Sequence, residues 1–408
     1  MNTNASAIGQ VQVSRANPWL MVAIASLANF ALYVIIFGVP PVIVRVVNDL
    51  GVTHAQAGLL MTITMATYCI FSLPGGLLSD RFGARPVLTL GLLLASVSGF
   101  LFTLTDNFLL MMILRGLVGV GCGCVFTPGL RFLIGNLPKE ISGVGLGWYM
   151  IAINTGVAAP MLLTPLIMDA NGWQMPLQLY AAVGGLFAVV FWWLAQEATP
   201  ARATTPAESQ AAGTAVGGFW SLALILVAVA SLMRMSQTYG VLTWTPSYLN
   251  ETLHFSPFEI AFATTVLSMS NVPALLIGGW LSDRTNRKVL LAIAGLAISV
   301  IGVSLTWMHV APFWVVTGVL FAIGFGTGIS SVPIFALPAM TVPRSHVGRA
   351  TGFTSTLTFA GPILTAYLGG LIKTGTGEYD LAFLVFSLAP AVGIIALLPL
   401  ARSFRPKW

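Results

Sequence analysis

The stretch GLLSDRFGAR, residues 76–85, places one acid and two bases between two long apolar runs. A related stretch, GWLSDRTNRK, occurs 203 positions later, at residues 279–288. The Asp-Arg pair is kept in this copy, and Asn286 stands where the first stretch has Gly83. Both residue types tolerate the left-handed conformation that a tight turn requires. The chain therefore carries the same short loop twice, about half its length apart.

On either side of these loops the chain is apolar almost throughout. It has 408 residues, of which 57% are hydrophobic and 7% charged, with a mean hydropathy of +0.90. Ordinary soluble domains carry about 25% charged residues, so a water-soluble fold is excluded. Apolar runs of about 20 residues predict membrane-spanning helices. Twelve are found, at roughly residues 19–44, 54–78, 84–104, 108–135, 141–167, 176–195, 219–247, 257–281, 288–307, 313–340, 349–372 and 381–401.

The twelve spans divide into two groups of six. A segment rich in Ala, Thr, Pro and Gly separates the groups, and its composition is typical of a flexible linker. We therefore expect an N-terminal six-helix bundle in residues 1–195, a cytoplasmic linker in residues 196–218 and a C-terminal six-helix bundle in residues 219–408.

Further matched positions indicate that the two bundles are related. Thr53 with Gln56, and Ser256 with Glu259, fit capping boxes at the starts of spans 2 and 8, again 203 apart. At an offset of 205, Gly119, Gly121, Gly123, Pro128, Pro138, Gly143, Gly147 and Gly156 correspond to Gly324, Gly326, Gly328, Pro333, Pro343, Gly348, Gly352 and Gly361. These repeats predict an all-α integral membrane fold of twelve helices, in which a pseudo-two-fold axis along the membrane normal relates the two bundles.

The placement of the charged residues predicts how the chain lies in the membrane. With the N-terminus inside, thirteen of the 18 bases fall in cytoplasmic segments, and only Arg45 and Lys373 fall outside. This asymmetry follows the positive-inside rule and places both termini in the cytoplasm. The run that begins at Trp19 is too long for a signal-peptide core and is expected to remain as the first span. We expect the protein to lie in the plasma membrane, which in a bacterium is the inner membrane.

The two loops, together with LRGLVGVG at residues 114–121, resemble the signature motifs of the major facilitator superfamily. The resemblance covers the whole chain and implies a secondary transporter that works by alternating access. It also implies that Asp80 and Asp283 latch the outward-open state, and that the other loop residues serve this latch: Gly76, Arg81, Gly83, Arg85, Gly279, Arg284, Arg287 and Lys288. GVAAP at residues 156–160 departs from the antiporter motif of the family, so antiport is left open.

The loop charges also have a reading that does not depend on the resemblance. Asp80 can pair with Arg81 or Arg85, or with the N-terminus of a neighbouring helix. The alternative is that the bases serve only as cytoplasmic anchors of the spans.

Three arginines fall within the predicted spans, whereas all twelve acids fall at helix ends or in loops. An arginine near the centre of the bilayer costs on the order of 3 kcal/mol, which makes it a functional candidate. Arg131 is within about one turn of the inner surface, where its side chain can reach water, so a structural or gating role is expected. Arg115 in span 4 and Arg234 deep in span 7 are predicted substrate contacts, with a structural role as the alternative for each.

The resemblance places spans 1, 4, 7 and 10 around the cavity, and polar residues in and beside these spans complete the predicted site. Its substrate-binding residues are Asn29, Tyr33, Arg115, Tyr149, Arg234, Gln237 and Asn271. Asn29 and Tyr33 are four apart, and Arg234 and Gln237 three apart, so each pair shares one helix face. Guanidinium groups with amide and phenol donors suit a small organic carboxylate or inorganic anion. The alternative for each polar residue is a contact between helices.

These observations predict a monomeric transporter in the lipid bilayer that carries a small anionic solute and is coupled to H⁺ or to an exchanged anion. A transporter of neutral solutes or drugs is the nearest alternative, and a non-transporting membrane sensor or scaffold is an alternative of another class. No enzyme is expected, because no clustered histidine, acid or nucleophile triad occurs. No metal, cofactor or nucleic-acid partner is predicted either, since no two histidines have ligand spacing.

Overall fold

A computed structural model describes residues 17–196, 221–285, 287–307, 311–342 and 347–403. This part of the chain is helical throughout, without a strand. The helices are α1 (Pro18–Phe37), α2 (Ile43–Leu50), α3 (His54–Phe82), α4 (Ala84–Phe102), α5 (Phe108–Asn136), α6 (Lys139–Asn171), α7 (Gln174–Leu194), α8 (Leu222–Glu251), α9 (Pro257–Met269), α10 (Asn271–Thr285), α11 (Lys288–Ser299), α12 (Phe313–Thr341), α13 (Val347–Thr376) and α14 (Asp380–Ser403), with 3-10 segments at Pro40–Val42 and Val300–Trp307.

Eleven helical segments of the described chain are long and apolar enough to cross a membrane. The ninth predicted span, residues 288–307, is not among these eleven, because its α-helix ends at Ser299 and continues as a 3-10 helix over Val300–Trp307. Gly302 and the β-branched residues beside it are weak helix formers. Ser387 and Ile323 also pack directly against Gly302. The apolar run was predicted correctly, but its uninterrupted α-helical form was wrong.

The capping boxes predicted at the starts of α3 and α9 are confirmed. Thr53 and Gln56 form a complete capping box, as do Ser256 and Glu259. Gly83, in the turn between α3 and α4, has a φ of 93°, which a residue with a side chain rarely adopts. Its counterpart Asn286 and most of the predicted linker lie outside the described residues.

The same packing pattern occurs in both halves of the chain. In the first half, α3 and α4 pack on α5, and α1 packs on α6 and α7. In the second, α10 and α11 pack on α12, and α8 packs on α13 and α14. A methyl group at Gly121 would overlap the backbone of Gly91, and one at the matching Gly326 would overlap that of Gly295. The glycine repeat thus marks the same close helix contact in each bundle, which agrees with the predicted two-bundle fold.

The two halves meet mainly where α3 packs on α13 and where α6 packs on α9. Two ends of the molecule are distinguished below. The His54 end holds the start of α3 and the end of α8, and the Asp80 end holds the turn between α3 and α4.

Candidate functional site

The acid of the first signature loop pairs with an arginine of another helix. Asp80 Oδ1 lies 3.2 Å from Arg131 Nη1, and Arg131 also donates to Ser79 Oγ at 3.3 Å. The predicted set of partners for Asp80 therefore omitted the observed one. The pair joins α3 to α5 within the N-terminal half, and the Asp80 side chain is 63% exposed. Arg131 is thus neutralised at the Asp80 end, and its structural or gating role stays a prediction.

Three other bases of the loops lie against aromatic rings. Arg85 donates to the carbonyl oxygen of Trp192 and lies 4.6 Å from the centre of its ring. Arg81 lies over Phe82. In the second loop, Arg284 lies over Trp280. The side chain of Asp283 is outside the described residues. The contacts anchor the bases of the loops at the Asp80 end, and the latch role stays a prediction.

Arg115 is buried beside the end of α1, and its guanidinium donates hydrogen bonds mainly to backbone carbonyl oxygens. Its Nη1 and Nη2 donate to the carbonyl oxygens of Ile35 and Ile36 at 3.3 and 3.2 Å. In a continuing helix, the Ile36 carbonyl would accept from the amide of residue 40, but Pro40 has no N–H. The guanidinium supplies the missing donor where α1 ends. This geometry favours the structural alternative for Arg115 over the predicted substrate contact.

Arg234 is equally buried but has two nitrogens without a hydrogen-bond partner, whereas Arg115 has one, its Nε. Only 2% of its surface is exposed. Its Nη1 donates to Ser331 Oγ of α12 at 2.8 Å, and its guanidinium lies 5.3 Å from the centre of the Phe335 ring. Nε and Nη2 have no hydrogen-bond partner. These two N–H groups lie side by side on one edge of the guanidinium plane, the edge that binds a carboxylate through two parallel hydrogen bonds.

Four other predicted substrate-binding residues form hydrogen bonds to neighbouring helices of their own half. Asn29 donates to the backbone of Tyr149 at 3.0 Å, and the Tyr149 hydroxyl donates to the carbonyl of Phe126. In the other half, Gln237 donates to Ser299 at 2.7 Å, whereas Asn271 makes a long contact of 3.4 Å with Thr327. Asn29 Oδ1 and Gln237 Oε1 have no partner, so both amides keep an acceptor for a ligand.

An aromatic layer crosses the middle of the molecule. The ring of Tyr33 stacks on that of Phe37 in the N-terminal half, with the ring centres 6.3 Å apart. The ring of Phe37 lies 5.7 Å from that of Tyr239, and the ring of Tyr68 lies 5.7 Å from that of Phe359, so both contacts bridge the halves. Tyr68 and Tyr239 were missed by the sequence reasoning. A tyrosine in the middle of an apolar span, whose hydroxyl needs a partner, was the available signal.

Arg234 lies five residues before Tyr239 on α8, about 7.5 Å nearer the Asp80 end at ~1.5 Å per residue. Arg234 is therefore within about one and a half helical turns of the aromatic layer along α8.

The faces through which the halves meet are filled at one end and empty at the other. On α6, Met161 is fully buried and its carbonyl receives a contact from Thr264 of α9 at 3.4 Å. Gly143 is on the same face, about five turns nearer the Asp80 end, and a Cβ there would meet nothing within 4 Å. On α13, Gly370 packs on the backbone of His54, whereas Gly352, again about five turns away, meets nothing within 4 Å.

A polar cluster at the His54 end was also missed. His54, Lys373 and Tyr379 all lie within hydrogen-bond distance of the Glu251 carboxylate. Glu251, one of the acids predicted at helix ends or in loops, is the centre of this cluster and is only 21% exposed. Among the described residues, no group of three or more His, Cys, Asp or Glu side chains is arranged to hold a metal.

Comparison with known proteins identifies the family of this architecture. The model of the Major Facilitator Superfamily matches residues 22–361 and 248–407. A probable sulfoacetate transporter of Cupriavidus necator, SauU, is 25% identical, and the alignment covers 86% of each chain. A probable galactarate/D-glucarate transporter of Bacillus subtilis, GudP, is also 25% identical, over 85% of this chain and 84% of the relative.

The same architecture occurs in a solved structure. A bacterial homologue of the human lysosomal transporter Spinster, in an inward-facing and unoccupied conformation, superposes with a TM-score of 0.75 at 15% identity over 97% of this chain and all of the other. Family model, relatives and fold agree with the two-bundle architecture described above and indicate a transporter rather than an enzyme. The chain belongs to the Major Facilitator Superfamily.

Proposed function

We propose that this protein is a secondary transporter that carries a small anion across the plasma membrane by alternating access, with the anion bound at Arg234. The observation that carries the assignment is the unfilled Nε–Nη2 edge of this arginine. Burial of a charge is costly unless the charge is paired, and the described residues supply no carboxylate to Arg234. A carboxylate, sulfonate or similar oxyanion would supply both the charge and the two acceptors.

The rest of the site would recognise the remainder of such a solute. The open acceptors of Asn29 and Gln237 suit hydroxyl groups. Tyr239 packs on Phe37 across the junction of the halves, and Tyr33 stacks on Phe37, so both would provide ring faces and hydroxyl donors. This arrangement fits a small organic acid with polar substituents. The names of the relatives, transporters of sulfoacetate and of sugar acids, support the same class.

Alternating access is supported by the unequal contact between the halves. Contacts close the His54 end, where α13 packs on α3. The matching faces at the Asp80 end have space beside Gly143 and Gly352. Rocking the two bundles about the central aromatic layer would reverse this inequality. The excess of bases near the Asp80 end supports a cytoplasmic location of that end and of both termini. Coupling to H⁺ or to an exchanged anion, and a monomeric state, belong to the same proposal.

A ligand panel tests the substrate class. Purified protein is heated in the presence of sulfoacetate, D-glucarate, sucrose or tetraphenylphosphonium, because a ligand that binds the folded state raises the unfolding temperature. Stabilisation by an organic anion, lost in Arg234→Met and kept in Arg45→Met, is expected. Arg45 is an exposed arginine at the His54 end and serves as the matched control.

Transport by the same proteins in vesicles then tests movement of the solute. Uptake of the stabilising anion should fall in Arg234→Met and persist in Arg45→Met. Stabilisation by sucrose alone would assign a neutral solute, and stabilisation by tetraphenylphosphonium alone would assign a cation; either result would refute the anion proposal.

A further inference from the structure

The polar cluster at the His54 end is built around one carboxylate. Glu251 Oε1 lies 2.9 Å from His54 Nε2, and Oε2 lies 3.1 Å from Lys373 Nζ and 3.2 Å from the Tyr379 hydroxyl. The side chains of His54, Glu251 and Lys373 are between 15% and 21% exposed. Lys373 also lies over the Tyr379 ring, at 4.3 Å from its centre. Removal from water strengthens such charged contacts and makes the loss of a partner costly.

Only one member of the cluster comes from the N-terminal half. His54 begins α3, whereas Glu251 ends α8, Lys373 is in the last turn of α13 and Tyr379 precedes α14. The surrounding contacts also join the halves, since the amide of Ala55 donates to Thr374 Oγ1 at 3.1 Å. Opening of this end must therefore separate His54 from Glu251, while Lys373 and Tyr379 move together with the carboxylate.

This division determines which group loses its charged partner when the end opens. The titratable groups of the described elements packed around His54 are Glu251 of α8, Lys373 of α13 and Tyr379 before α14. Burial and the neighbouring Glu251 carboxylate raise the pKa of Tyr379 above its ordinary value, so its hydroxyl stays protonated and donates to Glu251. Glu251 keeps its lysine partner in either arrangement. His54 alone has its anionic partner in one arrangement and lacks it in the other.

We propose that His54 is a proton-binding gate residue, whose protonation holds the His54 end of the transporter shut through Glu251. Histidine is the side chain that ordinarily titrates between pH 5 and 8. Protonated His54 forms an ion pair with Glu251 only in the closed arrangement, because the two residues belong to different halves. By linkage, a fall in pH through this range favours closure and a rise favours opening. This gate is independent of which solute is bound at Arg234.

Distance measurements between spin labels test the gate without a substrate. Cys69 and Cys124 are replaced by Ser and Cys122 by Ala, and labels are attached at Asp106→Cys and Trp314→Cys. These positions are exposed and lie at the His54 end in opposite halves. From pH 8 to pH 6, we expect the ratio of the open to the closed population to fall about fivefold. This is the effect expected from the free energy of one partly exposed ion pair.

The variants separate the proposed gate from a general effect of pH. His54→Gln keeps a hydrogen-bond donor but cannot titrate, so its populations should not change with pH. Glu251→Gln should also lose the response. His254→Gln, a change of an exposed histidine at the same end, is the matched control and should keep it. If His54→Gln fails to fold, His54→Asn provides the same test. A parent protein without a pH response, or a His54 variant that responds like the parent, would overturn the proposal.

Discussion

Replacing Arg234 with methionine should weaken anion binding strongly without destabilising the empty protein. In the described structure, Nε and Nη2 of Arg234 are buried without a partner. An unsatisfied buried donor costs about 1–3 kcal/mol, and methionine removes both donors while retaining an unbranched apolar side chain. The Ser331 hydroxyl does not become unsatisfied, because it also donates to the Thr327 carbonyl at 2.7 Å. The unfolding temperature of the empty protein should therefore stay the same or rise.

The same substitution should weaken anion binding, and this loss should be larger than any change in the stability of the empty protein. Loss of one partner from a desolvated charge pair costs about 2–5 kcal/mol, or roughly 30- to 5,000-fold in Kd. At an anion concentration of 100 times the Kd of the parent, bound ligand stabilises the parent by about 2.7 kcal/mol. A 30-fold weaker Kd leaves about 0.9 kcal/mol by the same relation, and a 1,000-fold weaker Kd leaves almost none.

Thermal unfolding with and without the anion measures both quantities on one sample. Arg234→Lys is informative as a second variant, because it keeps the charge but lacks the two parallel donors. It should bind more weakly than the parent and more tightly than Arg234→Met. A large fall in the unfolding temperature of empty Arg234→Met, combined with unchanged stabilisation by the anion, would show that Arg234 is structural and would refute the reasoning.

Three further changes test other parts of the molecule. Arg115→Gln should lower the free energy of unfolding by about 2–4 kcal/mol, measured by thermal unfolding, because two buried carbonyls at the end of α1 lose their donor; an unchanged stability would contradict this role. Asp80→Asn should change stability by less than about 1 kcal/mol, since its ion pair is largely exposed, yet should slow transport in vesicles severalfold; unchanged transport at equal expression would exclude the latch. Gly370→Ala should shift spin-label distances at the His54 end towards opening, because its methyl overlaps the His54 backbone, whereas Gly352→Ala fits the described conformation without overlap and should leave that end closed.

The fold could be predicted from the sequence because its main signals depend on residues that are close together in the chain. Span length reflects the thickness of the bilayer, and the capping boxes at Thr53 and Ser256 need only three neighbouring residues. The glycine repeat was readable because close helix contacts exclude a side chain at any position where backbones meet. The change from α to 3-10 helix after Ser299 depended on packing against α14 as well as on propensity, and was therefore missed.

The candidate site could be predicted only in part, because its chemistry depends on which groups are already occupied. Sequence reasoning selected Arg115 and Arg234 by the same criterion, burial of a charge within a span. Their difference arises from Pro40 in another helix and from Ser331 in α12, which no spacing along the chain reveals. The cluster around Glu251 was missed for the same reason, since its members come from four separate helix ends.

The comparison of Arg115 with Arg234 explains how two related bundles can have different tasks. In the N-terminal half, the buried guanidinium is used within the bundle, where it supplies the donor that Pro40 lacks and holds the end of α1. In the C-terminal half, the buried guanidinium is bonded through one nitrogen and keeps a complete edge for a ligand. The proposed anion would therefore be held mainly by the C-terminal bundle, against the aromatic residues of the other. A ligand held in this way can stay with one bundle while the contacts of the second bundle change, as movement between two access states requires.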